Sequence, residues 1–263
     1  MTGALSRRAS RPSGGSRRAL HAEWTKVRTV AGTFWLLAAA ITLTVTVSAA
    51  AAAATRCPAG LACPVDTARL TLTGVQLSQA LIATLAVLAI SSEYSTGMIR
   101  ITLAAIPRRP AMLAAKAAIV TGLVLAGRLI LPGHGFTAAR GFPPLSPGDV
   151  PVLRAAAGSV LYLALIALLS LGIATIIRDS AAAIGVVLGL LYLPPLIAAV
   201  LASNPQWQHQ IERYAPMSAG LTIQDTTGMH NLPISPWAGL GVLAIWAAAA
   251  LLSGGLMLRL RDA

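Results

Sequence analysis

Charge is what this sequence has least of. Only 11% of its 263 residues are Asp, Glu, Lys or Arg, and only eight of those are acids. Soluble domains carry charge at about a quarter of their positions, so a soluble globular chain is excluded. None of the acids lies in the middle of an apolar run, where a proton- or sodium-coupled carrier usually keeps one. That argues against a stand-alone secondary transporter. Cysteine is nearly missing: Cys57 and Cys63 share one loop and show no zinc or redox spacing. The four histidines, His21, His134, His209 and His230, are scattered without ligand spacing, so no metal site is expected. No Gly-x-x-x-x-Gly-Lys-Ser/Thr occurs, and a P-loop for ATP is therefore excluded. There is no His-Glu-x-x-His and no Gly-x-Ser-x-Gly, so the common catalytic constellations are excluded too. Aromatics make up 5% and form no basic–aromatic module, which argues against nucleic acid despite a net charge of +12.

What is present is hydrophobicity. Mean hydropathy is +0.73, and 56% of the residues are hydrophobic. Six apolar runs, near 33–54, 71–91, 111–132, 155–177, 180–202 and 236–258, each approach the roughly 20 residues that a helix needs to cross hydrocarbon. The expected fold is all-α: a multi-pass protein with six transmembrane helices, embedded in the lipid bilayer of the cell membrane. Residues 1–18 read as a disordered basic tail, and 19–263 as a single six-helix transmembrane domain. Over 19–31, Leu20, Trp24, Val27 and Ala31 share one helical face. The pattern predicts an interfacial helix lying among headgroups, with Trp24 at the boundary.

The basic residues are unevenly placed. Fourteen of the twenty Lys and Arg fall in the tail and first helix, the loop after span 2, the Arg178 turn and the C-terminal end; five fall in the alternate loops. The positive-inside rule then puts both termini and the loop 93–116 in the cytoplasm. The remaining cation, Arg128, falls inside span 3. It lies about 18 Å of helix beyond Lys116, within snorkelling reach of the outer headgroups.

Several polar features have two readings. Gln76 and Gln79, a helical turn apart in span 2, either bond to neighbouring helices or line a pathway. The span 1 threonines, from Thr42 to Thr46, read as interhelical hydrogen bonds, each worth about 0.6–2 kcal/mol. Cys57 and Cys63 flank a Pro58–Gly60 turn that suits a small disulfide loop; two free thiols are the alternative. Gly185 and Gly189 match a close-packing pattern. Pro194-Pro195 predicts that span 5 kinks or ends early. In the long segment 203–235, Trp207, Ile211 and Tyr214 predict a short amphipathic helix resting on the outer face, broken at Pro216.

The most polar interruption is Glu93-Tyr94-Ser95-Thr96-Gly97-Met98-Ile99-Arg100, continuing Leu103-Ala104-Ala105-Ile106-Pro107-Arg108-Arg109 and ending at Lys116. It resembles the first cytoplasmic loop of the ABC type-2 permease family, especially its actinobacterial exporters, which carry Glu-Tyr-x-x-Gly-x-x-Arg, Leu-Ala-x-x-Pro-x-Arg and a following lysine. Glu23-Trp24-Thr25-Lys26-Val27-Arg28, Tyr214-Ala215-Pro216-Met217-Ser218-Ala219-Gly220, Ser235-Pro236-Trp237-Ala238-Gly239-Leu240 and the Leu258–Ala263 ending are also similar to family motifs. The likeness spans nearly everything after residue 18.

The resemblance implies an exporter permease that works as a pair, with a second permease chain, either a copy of itself or a paralogue. A separate ATPase subunit would bind ATP and magnesium; the permease itself would bind no cofactor. Glu93, Tyr94, Gly97, Arg100, Pro107, Arg108, Arg109 and Lys116 would couple to that ATPase, helped by Glu23, Trp24, Lys26 and Arg28. A short helix over 97–105 would present Met98, Ile101 and Ala105 to a groove on the partner. Spans 1, 2 and 5 would line the seam between the two permease chains, with re-entrant helices after span 5 as the outer gate. One departure stands out: span 3 is short beside family members, and its arginine, Arg128, sits nearer the cytoplasmic end. The alternative function is a membrane-embedded immunity or scaffold protein that works without an ATPase.

Overall fold

The computed structural model describes residues 31–54, 66, 69, 72–98, 109–130, 150–201, 204–227 and 232–261. The tail 1–18, the interfacial residues Glu23, Trp24, Lys26 and Arg28, the pair Cys57 and Cys63, and Arg100, Pro107 and Arg108 lie outside them. Among the described residues there are helices and no strands. The long helices are α1 (Ala31–Ala54), α2 (Gly74–Ser95), α3 (Arg109–Ile130), α4 (Val150–Ile177) and α5 (Ser180–Val200). Two short ones follow, α6 (Pro205–Tyr214) and α7 (Pro216–Leu221), then a 3-10 turn at Thr222–Gln224 and the long α8 (Pro236–Arg261).

Five of these, α1, α2, α4, α5 and α8, are long and apolar enough to cross a membrane. Length and composition thus make the chain a multi-pass membrane protein. The expected sixth span corresponds to α3, whose described apolar part runs Met112–Leu125. At 22 residues α3 equals α2 in length, about 33 Å. Arg128 falls in the last turn of α3.

The central helices are α2 and α4, 61% and 56% buried along their apolar windows, against 11% for α1 and 22% for each of α5 and α8. Burying apolar area drives nothing in lipid, so close approach of backbones must supply the packing. The α4–α8 contact works this way. A β-carbon at Gly172 would sit 2.5 Å from the Ala250 carbonyl carbon, and Gly254 lies directly on Thr175. At the α1–α2 crossing, Gly74 sits against Thr44, and its amide donates to Ser48 Oγ at 3.2 Å.

Two threonines of α1 bond within the helix. Thr44 Oγ1 donates to the Ala40 carbonyl at 2.7 Å and Thr46 Oγ1 to the Thr42 carbonyl at 2.9 Å. These are bonds back to their own helix, not the interhelical bonds expected. Among the described residues, a β-carbon at Gly185 would meet nothing within 4 Å and one at Gly189 would meet only Leu193 of α5 itself. Nor does Pro194-Pro195 end α5, which continues to Val200. The two prolines remove the donors for the Leu190 and Leu191 carbonyls, a loss that membrane helices tolerate where local geometry or neighbours compensate.

Candidate functional site

Functional side chains gather at opposite ends of the bundle. At the first end, α2 closes with Glu93 and Tyr94, then stops at Gly97. Gly97 has a φ of +68°, the left-handed region glycine enters without steric cost, and its amide donates to the Tyr94 carbonyl at 3.2 Å. Met98 follows, 44% exposed. Lys116, two turns into α3, reaches back to α2. Its Nζ lies 2.7 Å from Glu93 Oε1 and donates to the Ala89 carbonyl at 2.9 Å. The two side chains are only 2% and 6% exposed. Arg109 opens α3.

This end holds one residue that the sequence offered only as an orienting charge. Arg178, between α4 and α5, has a φ of +66°, a conformation that costs a non-glycine residue about 1–2 kcal/mol. Its guanidinium lies over the Tyr94 ring, 5.3 Å from the centroid, where the ring quadrupole attracts a cation. Asp179 accepts from the Ala182 amide at 2.8 Å and caps α5. So Glu93, Tyr94 and Lys116 come together as a knot that ties α2, α3 and the α4–α5 turn. Glu93 and Lys116 anchor the loop between them and present no charge to water.

At the other end the chain folds inward. Trp246 Nε1 donates to the Tyr214 carbonyl at 3.1 Å. Trp246 lies ten residues into α8, which starts at Pro236, or about 15 Å along its axis. The C-terminal end of α6 is thus set against the middle of α8. The α7 helix and the 3-10 turn bring the chain back. Met217 Sδ accepts from Gln79 Nε2 at 3.2 Å, Gly220 packs on Tyr162, Ile223 fills the space beside Gly158, and Gln224 Nε2 donates to Ser159 Oγ at 3.0 Å. Pro216 opens α7 where its missing N–H costs nothing.

Gln79 is wholly buried and accepts a hydrogen bond from the Tyr162 hydroxyl. The Tyr192 hydroxyl donates to the Gln76 backbone carbonyl at 2.7 Å. The Gln79 side chain thus joins α2 to a neighbouring helix, whereas in these bonds Gln76 does so through its backbone alone. On α6, Gln206, His209, Gln210 and Arg213 are exposed, and a groove runs along Pro205, Gln206, Trp207, His209 and Gln210. On the same helix, Gln208 Nε2 donates to Glu212 Oε1 at 3.0 Å.

The segment ends under a set of ionic contacts. Asp66, from the stretch before α2, accepts from the Thr226 amide at 2.6 Å, the Thr226 hydroxyl at 2.7 Å and the Thr227 amide at 3.0 Å, and also from the Arg69 amide at 3.1 Å. Arg69 Nη1 lies 2.6 Å from Asp225 Oδ1, and Arg154 Nη2 of α4 donates to the Asp225 carbonyl at 2.5 Å. Partial burial pushes the Asp66 carboxyl upward, but the bonds from Thr226, Arg69 and Thr227 outweigh it and hold it below the usual range. Burial raises Asp225 above that range; the Arg69 cation opposes the rise and the Asp66 charge adds to it.

Among the described residues no group of three or more potential metal ligands occurs. Comparison with family models and with curated proteins gives no match.

Proposed function

We propose that the chain is the membrane-spanning permease subunit of an ATP-driven exporter, paired with a second permease chain and powered by a separate ATPase. The observation that supports this reading is the contact between the end of α6 and Trp246, about 15 Å along α8. On this reading it draws the polar α6 face, with exposed Gln206, His209, Gln210 and Arg213, below the membrane surface. Facing hydrocarbon, these groups would be costly, at least about 2.5–3.5 kcal/mol for an arginine near the bilayer centre. Non-spanning polar segments at that depth are tolerated where they border a water-filled cavity or other protein. A cavity between two copies, lined by α6, meets that need and supplies a route for substrate.

The energy source follows from what the sequence lacks. It has no P-loop of its own, and the Glu93–Lys116 stretch resembles a loop that docks on an ATPase. On this reading the Glu93 end faces the cytoplasm, as the charge distribution favours. The buried Glu93–Lys116 pair and the Arg178–Tyr94 contact would make the loop's base stiff enough to pass a displacement to α2, α3 and α5.

The test is a search of the neighbouring genes for a P-loop ATPase subunit, followed by reconstitution of the two proteins in nanodiscs. The expected outcome is copurification and stimulated ATP hydrolysis. Arg100→Glu with Arg109→Glu abolishes both while the protein stays in the membrane fraction. Hydrolysis that ignores the permease, or that survives the double substitution, contradicts the reading.

A further inference from the structure

We infer that Asp66 and the Arg69–Asp225 pair form an openable latch, which holds the returning end of the re-entrant segment closed against the bundle. The segment's two parts are held differently. Residues 216–224 are packed: Ile223 and Gly220 fit against α4, and Gln224 is bonded to Ser159. Residues 225–227 are held by polar contacts to Asp66, Arg69 and Arg154. Asp66 and Thr226 stand 160 positions apart in the chain, so closing this contact fixes the stretch before α2 onto the segment after α5. The Arg69 side chain is 56% exposed while Asp225 is 6% exposed. Water reaches the cation, and a pair open on one side is easily exchanged for solvent.

The chemistry makes the latch asymmetric. Asp66 gathers hydrogen bonds that suit its charge. Asp225 carries a charge that its burial disfavours and that Arg69 compensates. Removing Arg69 therefore leaves Asp225 favouring water, and the segment end should swing out. Removing the Asp225 charge as well should let it close again. In an exporter such a device would be the lid over the α6-lined cavity. That role rests on the proposed function; the latch itself does not.

Hydrogen–deuterium exchange of the chain alone in nanodiscs tests it, read on the amides of residues 219–227. Arg69→Ala and Asp66→Asn are each expected to speed exchange there by about tenfold or more, as local opening does, while α2 and α4 keep their protection. Adding Asp225→Asn to Arg69→Ala restores slow exchange. Raising NaCl to about 1 M, where the screening length falls to about 3 Å, speeds exchange in the native chain but not in Arg69→Ala. Unchanged exchange in both single variants overturns the latch. So does a rise spread equally over α2 and α4, which would mark general loosening. Exchange read without an ATPase or a substrate stands whether or not export is established.

Discussion

The two ends of this bundle are both held by ion pairs, and the pairs are built differently. Glu93 and Lys116 project from two long helices into the interior, at 6% and 2% exposure. Asp66, Arg69 and Asp225 join short stretches of connecting chain, and the Arg69 side chain is more than half exposed. A buried pair is expensive to break because the surviving charge is stranded in a low dielectric. A pair reached by water can trade its partner for solvent at little cost. The difference divides the labour: the Glu93 end is a joint that must not move within itself, and the Asp225 end is a closure that can.

The largest expected effect breaks the first member of that comparison. Lys116→Met leaves Glu93 buried without its cation and should cost about 3–5 kcal/mol, read as a large fall in Tm in detergent. Adding Glu93→Gln should recover much of it. The same measurement on Arg69→Ala should show a smaller loss, because Arg69 faces water and the opening stays confined to the end of the segment. Equal losses at the two ends would erase the distinction.

Between the ends lies the Gln79–Tyr162 contact under α7. Tyr162→Phe keeps the ring against Gly220 but leaves the buried Gln79 carbonyl without its donor. The expected cost is about 1–3 kcal/mol, with faster amide exchange confined to α7 and its neighbours. A neutral substitution would mean that the amide finds another partner.

A smaller effect sharpens the second member. Asp225 has its pKa raised in the closed form, so protonation favours closure in the window from that raised value down to the ordinary Asp value of 3.8. Asp66 has its pKa lowered, so its contribution is present above 3.8 and is lost as pH falls through its lower folded value. Protection of residues 219–227, corrected for the intrinsic pH dependence of exchange, should therefore rise on mild acidification and then fall. Asp225→Asn should remove the rise and Asp66→Asn the fall. A fall without a preceding rise would assign the closure to Asp66 alone.

These contrasts were unevenly visible in the sequence. Hydropathy and the positions of Gly and Pro placed the long helices to within a few residues, because length and apolarity alone decide a span. The Glu93–Lys116 stretch stood out as polar, but not as an ion pair: 23 positions of chain separate the partners, and only the α2–α3 approach joins them. Arg178 looked like a lone orienting charge, and its left-handed backbone could not be inferred from composition. The amphipathic pattern of Trp207, Ile211 and Tyr214 identified α6 as a helix. That pattern reads the same on a membrane surface as beside a cavity, and the contact of the end of α6 with Trp246 was not legible in it. Asp66 and Asp225, far apart in sequence and each an ordinary loop acid, gave no signal of contact. Pro194-Pro195 did not end α5, because a helix in lipid tolerates proline more readily than one in water.

The proposed export role requires that the polar face of α6 meet water at membrane depth. The direct test is labelling with a membrane-impermeant thiol reagent in nanodiscs, using a chain with Cys57→Ser and Cys63→Ser. Gln210→Cys reports on that face. Ile245→Cys, on α8 beside Trp246 and 71% exposed, reports on the apolar surface at a similar level. The account predicts that Gln210→Cys reacts about tenfold faster or more, since hydrocarbon excludes both water and reagent. Equal, slow labelling at the two positions would contradict it.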